Sequence, residues 1–330
     1  MAQDVRLACV GLGWFGNVLA AAATASGAEI AGGFARSEQS RNDFVAKHGG
    51  RAYSSYDEIL QDPAVDGVLL ATPHSAHADQ IVAAAEANKH VFVEKPFALN
   101  VESAKRALAA SVTAGTVLQV GHNQRRQPAN RRLKQLIDSG DLGTVTMIET
   151  HQSIPKALAF EPDYWRANHD ESPLGGMTSL GVHMIDTMMY LLGPIDRVFT
   201  FSREILDAPF IDHATTIVFE FESGPLGYLG TSFVVPRANS VAVRGTAGTA
   251  INDENGAKFY LQSPDDTALR PEPIDVLDTV ADEITEYVAA VRGDAVPETG
   301  GAEGLRVITV LEAAAASRNS GGAEYIKDYA

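Results

Sequence analysis

The sequence is poor in the residues that would mark a disulfide-rich, zinc-binding or nucleic-acid-binding protein. Its 330 residues include one cysteine, Cys9, so neither a disulfide framework nor a thiolate zinc site can form. Lysine and arginine number 26 against 42 aspartates and glutamates, which gives a formal charge of −16. A chain this acidic lacks the basic surface that binds nucleic acid or an anionic membrane. We therefore expect neither as a partner.

The chain also lacks long apolar runs and a recognisable targeting signal. No apolar run approaches the roughly 18 residues of a membrane span, and Met1–Asp4 place no basic stretch ahead of an apolar one. No group of histidines and carboxylates has the spacing of metal ligands. With 45% hydrophobic and 21% charged residues the composition is that of a globular protein, and the length of 330 residues favours two domains. We expect a cytoplasmic enzyme or binding protein that holds no metal.

A glycine-rich motif stands near the beginning of the chain. The apolar run Val5–Val10 predicts a buried strand, and it leads directly into Gly11-Leu12-Gly13-Trp14-Phe15-Gly16 and an alanine-rich helix. This is G-x-G-x-x-G between a strand and a helix, the context in which the motif binds a dinucleotide. Its first glycine permits the tight turn, its second admits the pyrophosphate, and its third lets helix and strand pack closely. A plain glycine turn is the alternative, but strand, helix and position together favour nucleotide binding. The candidate contacts are Gly11, Gly13, Trp14, Phe15 and Gly16.

The end of the second predicted strand bears on which cofactor binds. An NAD-binding unit places a carboxylate about 20 residues beyond the glycines, where it holds the ribose 2′-hydroxyl. This sequence has Arg36 and Ser37 there instead. A guanidinium and a hydroxyl suit a 2′-phosphate, so NADP(H) is favoured over NAD(H). The alternative is an exposed loop arginine in a protein that uses both cofactors.

Two further predicted strands end in residues that could face a ligand. One ends at Thr72-Pro73, with His77 near the start of the following helix. The other is Val91-Phe92-Val93, which ends abruptly in Glu94-Lys95-Pro96. Strands alternate with helices up to residue 122, which predicts a doubly wound parallel sheet with its ligand at the carboxyl edge. A solvated turn would explain the charged pair equally well by itself, but the glycine motif at the same edge favours a site.

The pattern changes after residue 122. Short alternating runs separated by glycine turns predict a largely antiparallel sheet over 197–260. The polar stretch before it contains Tyr164-Trp165-Arg166, in which the tryptophan could cover a nicotinamide or fill a domain boundary. The predicted fold class is therefore α/β, with a dinucleotide-binding domain over 1–122. An α+β domain for substrate binding and oligomerisation is predicted over 123–330.

A helix predicted within 175–193 carries polar residues at helical spacing. Ser179, His183, Asp186 and Tyr190 follow i, i+4, i+7 and i+11, and a stripe of isoleucine, methionine and leucine occupies another face. We expect this helix to be core on one side and to line a cleft on the other. His183 could equally be a histidine satisfied inside the core, and the residues alone divide the two interpretations evenly.

Taken in order, these motifs resemble the Gfo/Idh/MocA oxidoreductases. The matching residues are the glycine motif, Thr72-Pro73 with His77, Glu94-Lys95-Pro96, Gly121-His122-Asn123, Trp165-Arg166, Gly175-Gly176 and Gly181-Val182-His183-Met184-Ile185-Asp186. The resemblance covers nearly the whole chain. It implies a Rossmann domain with a nicotinamide cofactor and an α+β domain whose open sheet forms a homodimer or homotetramer. It also implies sugars, polyols or other cyclic alcohols as substrates.

The resemblance implies roles for individual residues as well. Lys95 would hydrogen-bond the reacting oxygen and stabilise its negative charge, and His183 would remove or return the hydroxyl proton. Trp165 and Arg166 would line the pocket for nicotinamide and substrate. The other candidate cofactor contacts are Arg36, Ser37, Thr72, Pro73, His77, Glu94 and Lys95. The candidate substrate contacts are Lys95, His122, Asn123, Tyr164, Arg166, Ser179, His183 and Asp186.

One position departs from the family pattern. Members that act on sugars usually carry an aspartate four residues before the histidine, and this chain has Ser179 there. A serine cannot supply the charge that would pair with Lys95. Either the substrate supplies an anion, or Asp186 takes the place of the aspartate, or the reaction is not simple polyol oxidation.

The sequence thus favours an NADP(H)-linked dehydrogenase or reductase acting on the CH–OH group of a small molecule. Two other functions stay open. One is a non-catalytic dinucleotide-binding sensor that regulates a partner, which should have lost Lys95 and His183. The other is an enzyme that uses transient oxidation with bound cofactor for elimination or hydrolysis.

Overall fold

The structure is a computed structural model that describes residues 5–161, 163–207 and 211–329. Its contacts divide the chain into two compact units. The first comprises the chain up to His122 together with Asp278–Leu305, and the second comprises Asn123–Leu277 and the chain from Arg306. Met1–Asp4, in which we expect no targeting signal, lie outside the described residues. No helix in the described ranges is long and apolar enough to cross a bilayer.

Parallel pairing organises the first unit. Its strands are β1 (Arg6–Val10), β2 (Glu29–Phe34), β3 (Arg51–Ala52), β4 (Gly67–Leu70), β5 (His90–Val93) and β6 (Leu118–Val120). They form one sheet in the order β3-β2-β1-β4-β5-β6, and every neighbouring pair is parallel. The strand order reverses between β1 and β4, which is where such sheets bind their ligands. The predicted doubly wound sheet is confirmed.

Three helices of this unit begin with a side-chain cap. Its α-helices up to His122 are α1 (Trp14–Ala25), α2 (Glu38–His48), α3 (Tyr56–Gln61), α4 (His77–Glu86) and α5 (Val101–Ala114). The side chains of Ser37, Ser55 and Asn100 each accept a backbone N–H at the start of α2, α3 and α5. Each such cap satisfies one N–H group that the helix itself leaves unbonded.

The second unit is built around a mixed, mostly antiparallel sheet. Its elements up to residue 272 are α6 (Pro128–Asp138), β7 (Val145–Ser153), α7 (Val182–Leu192), β8 (Ile195–Arg203), β9 (Ala214–Phe221), β10 (Leu226–Ser232), β11 (Ala238–Gly245), β12 (Gly248–Asp253), β13 (Lys258–Gln262) and β14 (Arg270–Glu272). They are followed in the chain by α8 (Thr279–Arg292), α9 (Gly301–Ser320) and β15 (Glu324–Tyr325). The strand order is β14-β13-β12-β11-β7-β10-β9-β8-β15, and among the described strands only β7 and β10 pair in parallel.

The two faces of this sheet differ. On one face, buried side chains of α7 such as Met184, Ile185 and Met188 share a hydrophobic core with Ile148 and Leu229 of the strands. The other face carries exposed apolar side chains: Phe201, Val218, Leu226 and Tyr228. The predicted open sheet is confirmed.

A helix from the far end of the sequence completes the core of the first unit. Ile284 and Tyr287 of α8 are fully buried with Phe92 of β5, and the rings of Tyr287 and Phe92 meet edge to face at 5.8 Å. Cys9 belongs to the same core, and burial raises the pKa of its thiol to about 12. The sequence prediction assigned residues 278–305 to the second domain, whereas their contacts lie in the first unit. An apolar stripe predicts that a helix is buried, but it does not say against which core.

Candidate active site

The glycine loop after β1 has the shape of a pyrophosphate cradle. Gly11 has φ +88°, and a Cβ there would lie 2.4 Å from the carbonyl oxygen of Ala71. A Cβ at Gly16 would lie 2.1 Å from the carbonyl oxygen of Gly11, so neither position admits a side chain. Gly13 differs, because its φ is −69° and, apart from its two chain neighbours, no described residue has an atom within 4 Å of its ideal Cβ position. Space is therefore open in front of Gly13, where the motif places the pyrophosphate.

The start of α1 presents backbone N–H groups to that space. Within the described chain, Gly13 provides no side-chain cap and the first turn holds no acidic residue. The N–H groups of this turn can therefore bond a phosphate. Asn17 holds the loop, because its Nδ2 donates to the carbonyls of Leu12 and Gly13 at 3.2 and 3.0 Å. Asn17 is not predicted from the sequence, since the motif specifies glycines only. Trp14 is exposed and Phe15 is half-buried.

The segment after β2 carries one unbonded guanidinium and one anchored guanidinium. Arg36 is exposed, and its side chain forms no hydrogen bond or ion pair with any described residue. Arg41 donates through Nη1 to the carbonyls of Ala35 and Arg36 at 2.8 and 3.2 Å. Ser37 caps α2 by accepting from the Ser40 N–H at 3.3 Å, and its hydroxyl proton can still be donated. Arg41 thus fixes the backbone from which Arg36 projects.

His77 links the two strand ends that flank the ligand edge. Its ring is fully buried, with Nε2 3.0 Å from the Thr72 carbonyl oxygen and Nδ1 2.8 Å from the Pro96 carbonyl oxygen. Thr72 follows β4 and Pro96 follows β5, so one side chain ties both turns together. The Thr72 hydroxyl in turn donates to Gln80 Oε1 at 2.6 Å. The ring of His77 is therefore engaged with backbone groups, and it positions the loops.

Lys95 stands at the carboxyl end of β5. It is half-buried, as is Glu94, and the Lys95–Pro96 peptide bond is cis. Because β1, β4 and β5 are adjacent parallel strands, Lys95 lies two strand spacings, roughly 10 Å, from the glycine loop across the sheet. A Cβ at Gly121 would lie 2.8 Å from Glu94 Oε1, so this glycine leaves room for the carboxylate. The first unit thus brings the predicted glycines, Thr72 and Lys95 to one edge.

In the second unit the predicted polar stripe begins in an irregular helical turn. Met177–Gly181 form a π-helical turn that runs directly into α7, and Ser179 lies within it. Such turns are frequent at functional sites, because the extra residue shifts side chains out of the regular helical register. Ser179 is 6% exposed and His183 is 7% exposed. The two predicted substrate residues therefore lie on successive turns and are buried to a similar degree.

Asp186 belongs to an ion pair that the sequence analysis did not predict. Arg125, in the short helix Asn123–Arg126, donates through Nε to Asp186 Oδ2 at 2.9 Å and through Nη2 to Oδ1. Both side chains are buried. This bidentate pairing engages both oxygens of the carboxylate. Asp186 is therefore occupied, which argues against the alternative in which it replaces the aspartate missing at Ser179.

Tyr164, Trp165 and Arg166 form one aromatic and cationic cluster. The guanidinium carbon of Arg166 lies 3.9 Å from the centroid of the Trp165 ring, and Nη1 donates to the Tyr164 hydroxyl at 2.8 Å. A cavity of ≈ 420 Å³ adjoins the cluster and is lined by Lys156, Ala159, Phe160, Glu161, Asp163 and Tyr164. A guanidinium stacked on an aromatic ring keeps its charge and further donors for a ligand.

Each unit supplies different chemistry. The first has an open phosphate cradle and a half-buried ammonium, with Pro73 half-buried and His122 buried near the same edge. The open cradle at Gly13 fits a dinucleotide. The second has a buried imidazole, a buried hydroxyl and the Arg166 cluster, with Asn123 half-buried. Among the described residues no group of three or more histidines, cysteines and carboxylates could hold a metal ion.

Known proteins with similar sequences and structures are dehydrogenases and oxidoreductases. The chain is 32% identical over 200 residues to the scyllo-inositol 2-dehydrogenase (NAD(+)) of Bacillus subtilis, covering 58% of this chain and 56% of the relative. It is 26% identical over 277 residues to D-xylose 1-dehydrogenase (NADP(+)) 2 of Haloferax volcanii, covering 82% and 84%. A crystal structure from Desulfitobacterium hafniense, provisionally named an NADPH-dependent oxidoreductase, matches with a TM-score of 0.93 at 28% identity, covering 100% and 99%.

The two units also match the two parts of one family. Residues 5–122 match the oxidoreductase family with an NAD-binding Rossmann fold, and residues 130–251 match the GFO/IDH/MocA C-terminal domain. The resemblance inferred from the motifs is confirmed, and so is the assignment as an enzyme. The chain belongs to the Gfo/Idh/MocA family of NAD(P)-dependent oxidoreductases.

Proposed function

We propose that this enzyme interconverts a CH–OH group and a carbonyl on a sugar, polyol or other cyclic alcohol, and that it prefers NADP(H). The observation that carries the proposal is the half-buried Lys95 at the end of β5, two strands from a glycine loop with open space at Gly13. The names of the relatives support the substrate class, since they specify an inositol and xylose.

The proposed chemistry divides between an ammonium and an imidazole. When bound, a nicotinamide cofactor supplies the hydride donor or acceptor. In the oxidation direction the substrate oxygen gains negative charge as its proton leaves. The Lys95 ammonium would stabilise that oxygen by hydrogen bonding, and neutral His183 would accept the proton. In reduction the protonated His183 would return it.

Ser179 bears on the choice of substrate. Its hydroxyl can bond a substrate hydroxyl but adds no charge, and Asp186 is bonded to Arg125. A substrate that carries its own carboxylate would supply the missing anion. The substrate screen should therefore include sugar acids and other anionic cyclic alcohols beside neutral sugars and polyols.

The preference for NADP(H) rests on Arg36. Its exposed guanidinium forms no hydrogen bond with any residue that the structure describes, and Arg41 fixes the backbone that carries it. Titration of NADPH and NADH by fluorescence tests this point. Arg36→Ala should weaken NADPH binding roughly tenfold, about 1.4 kcal/mol, and leave NADH binding unchanged. Equal affinity of the wild type for the two cofactors would contradict the preference.

Substitution of the two proposed reacting groups tests the function. In a screen that follows nicotinamide absorbance, Lys95→Ala should lower turnover about a hundredfold to a thousandfold. His183→Ala should lower it at least about a hundredfold, and both variants should still bind cofactor. Lys105→Ala, an exposed lysine of α5, is the control and should keep full activity. Undiminished turnover in Lys95→Ala would contradict the proposal.

Two outcomes of the screen would replace the proposed function. Tight cofactor binding with no turnover on any substrate would indicate a regulatory sensor. Product formation without net change in NADPH would indicate elimination or hydrolysis through transient oxidation.

We also propose that the open sheet face forms a homodimer or homotetramer. Phe201, Val218, Leu226 and Tyr228 are 57%, 45%, 48% and 41% exposed on it, and an apolar patch of this kind is typical of a protein interface. Val218→Asp should produce monomers in light scattering, whereas the control Val296→Asp, at a position 88% exposed, should not. A wild-type monomer would contradict this proposal.

A further inference from the structure

A row of polar side chains crosses the inner face of the second unit's sheet, the face that packs against α7. The cross-strand register places Thr231 of β10 opposite Gln152 of β7, and Gln152 opposite Asn239 of β11. On the other side of Thr231, the register continues through Thr215 of β9 to Ser202 of β8. All five side chains are buried. Thr231, Gln152 and Asn239 are here called the amide row.

The amide row lies beside apolar core residues on the same face of the sheet, where polar side chains are not expected. Ile217, Leu229 and Val241 lie two residues away along the same strands and face, and they belong to the hydrophobic core. The sheet face thus changes from mainly apolar to polar within one step of the pleat. Packing alone would favour continuing the apolar face, because burying a polar group is unfavourable unless it is hydrogen-bonded.

The amide row differs from its neighbours in hydrogen bonding. Thr215 donates to the Leu174 carbonyl at 2.9 Å and contacts the Ser202 hydroxyl at 2.5 Å, so these two are satisfied. Gln152 Oε1, Thr231 Oγ1 and both side-chain polar atoms of Asn239 form no hydrogen bond with any described residue. Each buried group left unpaired costs about 1–3 kcal/mol. Three adjacent residues in this condition point to a ligand that pairs with them.

The amide row borders the helical turn that carries Ser179. A Cβ at Gly176 would lie 3.5 Å from Thr231 Oγ1, and one at Gly181 would lie 3.3 Å from Thr231 Cγ2. These glycines stand at the two ends of the π-helical turn, and His183 follows two residues later. The unpaired groups are therefore next to the segment that holds the proposed substrate residues.

We propose that the amide row is a subsite for hydroxyl groups on a neutral, polyhydroxylated part of the substrate, away from the carbon that exchanges hydride. This inference rests on the proposed function and assigns part of its specificity. Amide and hydroxyl side chains both donate and accept, as alcohol groups do. The row contains no charged side chain, so a carboxylate or phosphate would meet no opposite charge there. An acidic substrate would accordingly present its hydroxyl groups to the row.

Apolar replacements of similar volume test the subsite. Gln152→Met and Asn239→Leu remove polar atoms that have no partner among the described residues, so the Tm without ligand should stay the same or rise. For a hydroxyl-rich substrate, KM should rise roughly tenfold or more in each variant. For an analogue that lacks hydroxyls away from the reacting carbon, KM should change less than about twofold. Cofactor affinity should not change.

A matched control lies on the same sheet face. Thr200 of β8 is also buried, and its hydroxyl has no partner among the described residues, but it lies in the apolar part of the face. Thr200→Val should therefore leave KM for every substrate unchanged.

The outcomes separate this inference from the proposed function. An active wild type with unchanged KM in Gln152→Met and Asn239→Leu would overturn the subsite and leave the function standing. A wild type without turnover, whose Tm still rises with polyols and no longer does so in the variants, would overturn the function and support the subsite. A wild type with neither turnover nor a polyol-induced rise in Tm would overturn both.

Discussion

In the first unit, His77 and Asn17 near the ligand edge are bonded to the backbone, whereas in the second unit the amide row holds polar atoms with no partner among the described residues. The two ring nitrogens of His77 lie within hydrogen-bonding distance of two carbonyl oxygens, and Asn17 donates to two more in the glycine loop. Gln152 and Asn239 are buried, as His77 is, but they keep side-chain atoms that have no partner among the described residues. One chain therefore contains two kinds of buried polar group, those that fix the fold and those reserved for a ligand.

The difference matches what each unit is proposed to bind. A dinucleotide is bound mainly through its phosphates, and a loop whose shape is fixed by internal bonds is complementary to it before it arrives. A polyhydroxylated substrate needs hydrogen-bond donors and acceptors that the protein has not already paired with its own groups. Such unpaired buried groups lower the stability of the folded protein until the ligand binds. In the second unit the proposed substrate site is marked by buried polar atoms without hydrogen bonds. In the first unit the proposed cofactor site is marked by a loop that internal hydrogen bonds hold in shape.

The largest expected effect concerns the buried pair of Arg125 and Asp186 in the second unit. Unlike the side chains of the amide row, these two are hydrogen-bonded to each other. Arg125→Met leaves Asp186 buried without its partner, which should lower the free energy of unfolding by about 3–5 kcal/mol. The double variant Arg125→Met/Asp186→Leu should recover most of this loss, because no charge stays buried. Urea denaturation measures both. A loss below about 1 kcal/mol in the single variant, the size typical of exposed pairs, would contradict the burial of this pair.

Substitution of His77 tests the hydrogen bonding between side chain and backbone in the first unit. His77→Phe removes the ring N–H that donates to one of the Thr72 and Pro96 carbonyls, so the free energy of unfolding should fall by about 1–3 kcal/mol. Cofactor affinity should fall as well, because both turns lie at the ligand edge. His77→Gln keeps an N–H donor that can reach one carbonyl, and it should recover part of both losses. Equal defects in the two variants would show that hydrogen bonding is not what His77 supplies.

A pair of glycine variants separates fold from cofactor binding in the first unit. Gly11→Ala should destabilise the protein by about 1–3 kcal/mol, because φ is +88° and the new Cβ meets the Ala71 carbonyl. Gly13→Ala should leave Tm unchanged and weaken NADPH binding at least about tenfold, since its Cβ enters the space for the pyrophosphate. Thermal unfolding and fluorescence titration measure the two effects. Normal NADPH binding by Gly13→Ala would locate the cofactor elsewhere.

The smallest expected effect is a pH dependence of stability in the first unit. Burial lowers the pKa of His90 in β5, and its Nδ1 accepts the Val117 N–H at 3.0 Å. The unfolded imidazole titrates near pH 6.5 and the folded one below that, so the unfolded state takes up more protons as the pH falls. This contribution to stability is present above pH 6.5 and is lost as the pH falls below 6.5 through the lowered pKa of the folded state. His90→Asn should reduce the slope of stability against pH in that range. An unchanged slope would exclude His90 as a contributor.

Most of the first unit could be predicted from the sequence, because its signals are local. Uninterrupted runs such as Val91-Phe92-Val93 identify buried parallel strands, and the glycine motif specifies its own loop. Lys95 and Thr72 follow directly from their strands. His77 was singled out by sequence, but its contacts with two carbonyl oxygens depend on how the turns approach each other in space.

The second unit held more that the sequence could not give. Arg125 and Asp186 are 61 residues apart, and no spacing rule connects them. Gln152, Thr231 and Asn239 come from three strands, and each looks alone like an ordinary strand residue until the register aligns them. Ser179 and His183 were found because helical periodicity is a local signal. Side chains that meet only through sheet register leave no such pattern.

The position of α8 has a consequence for the order in which the protein matures during synthesis. Tyr287 fills the core of the first unit, yet it is translated 165 residues after His122, once nearly the whole of the second sheet has emerged. The core of the first unit around Phe92 therefore stays uncovered while the second unit is synthesised, until α8 has been translated. A nascent chain stopped before α8 should expose this surface and be a substrate for chaperones.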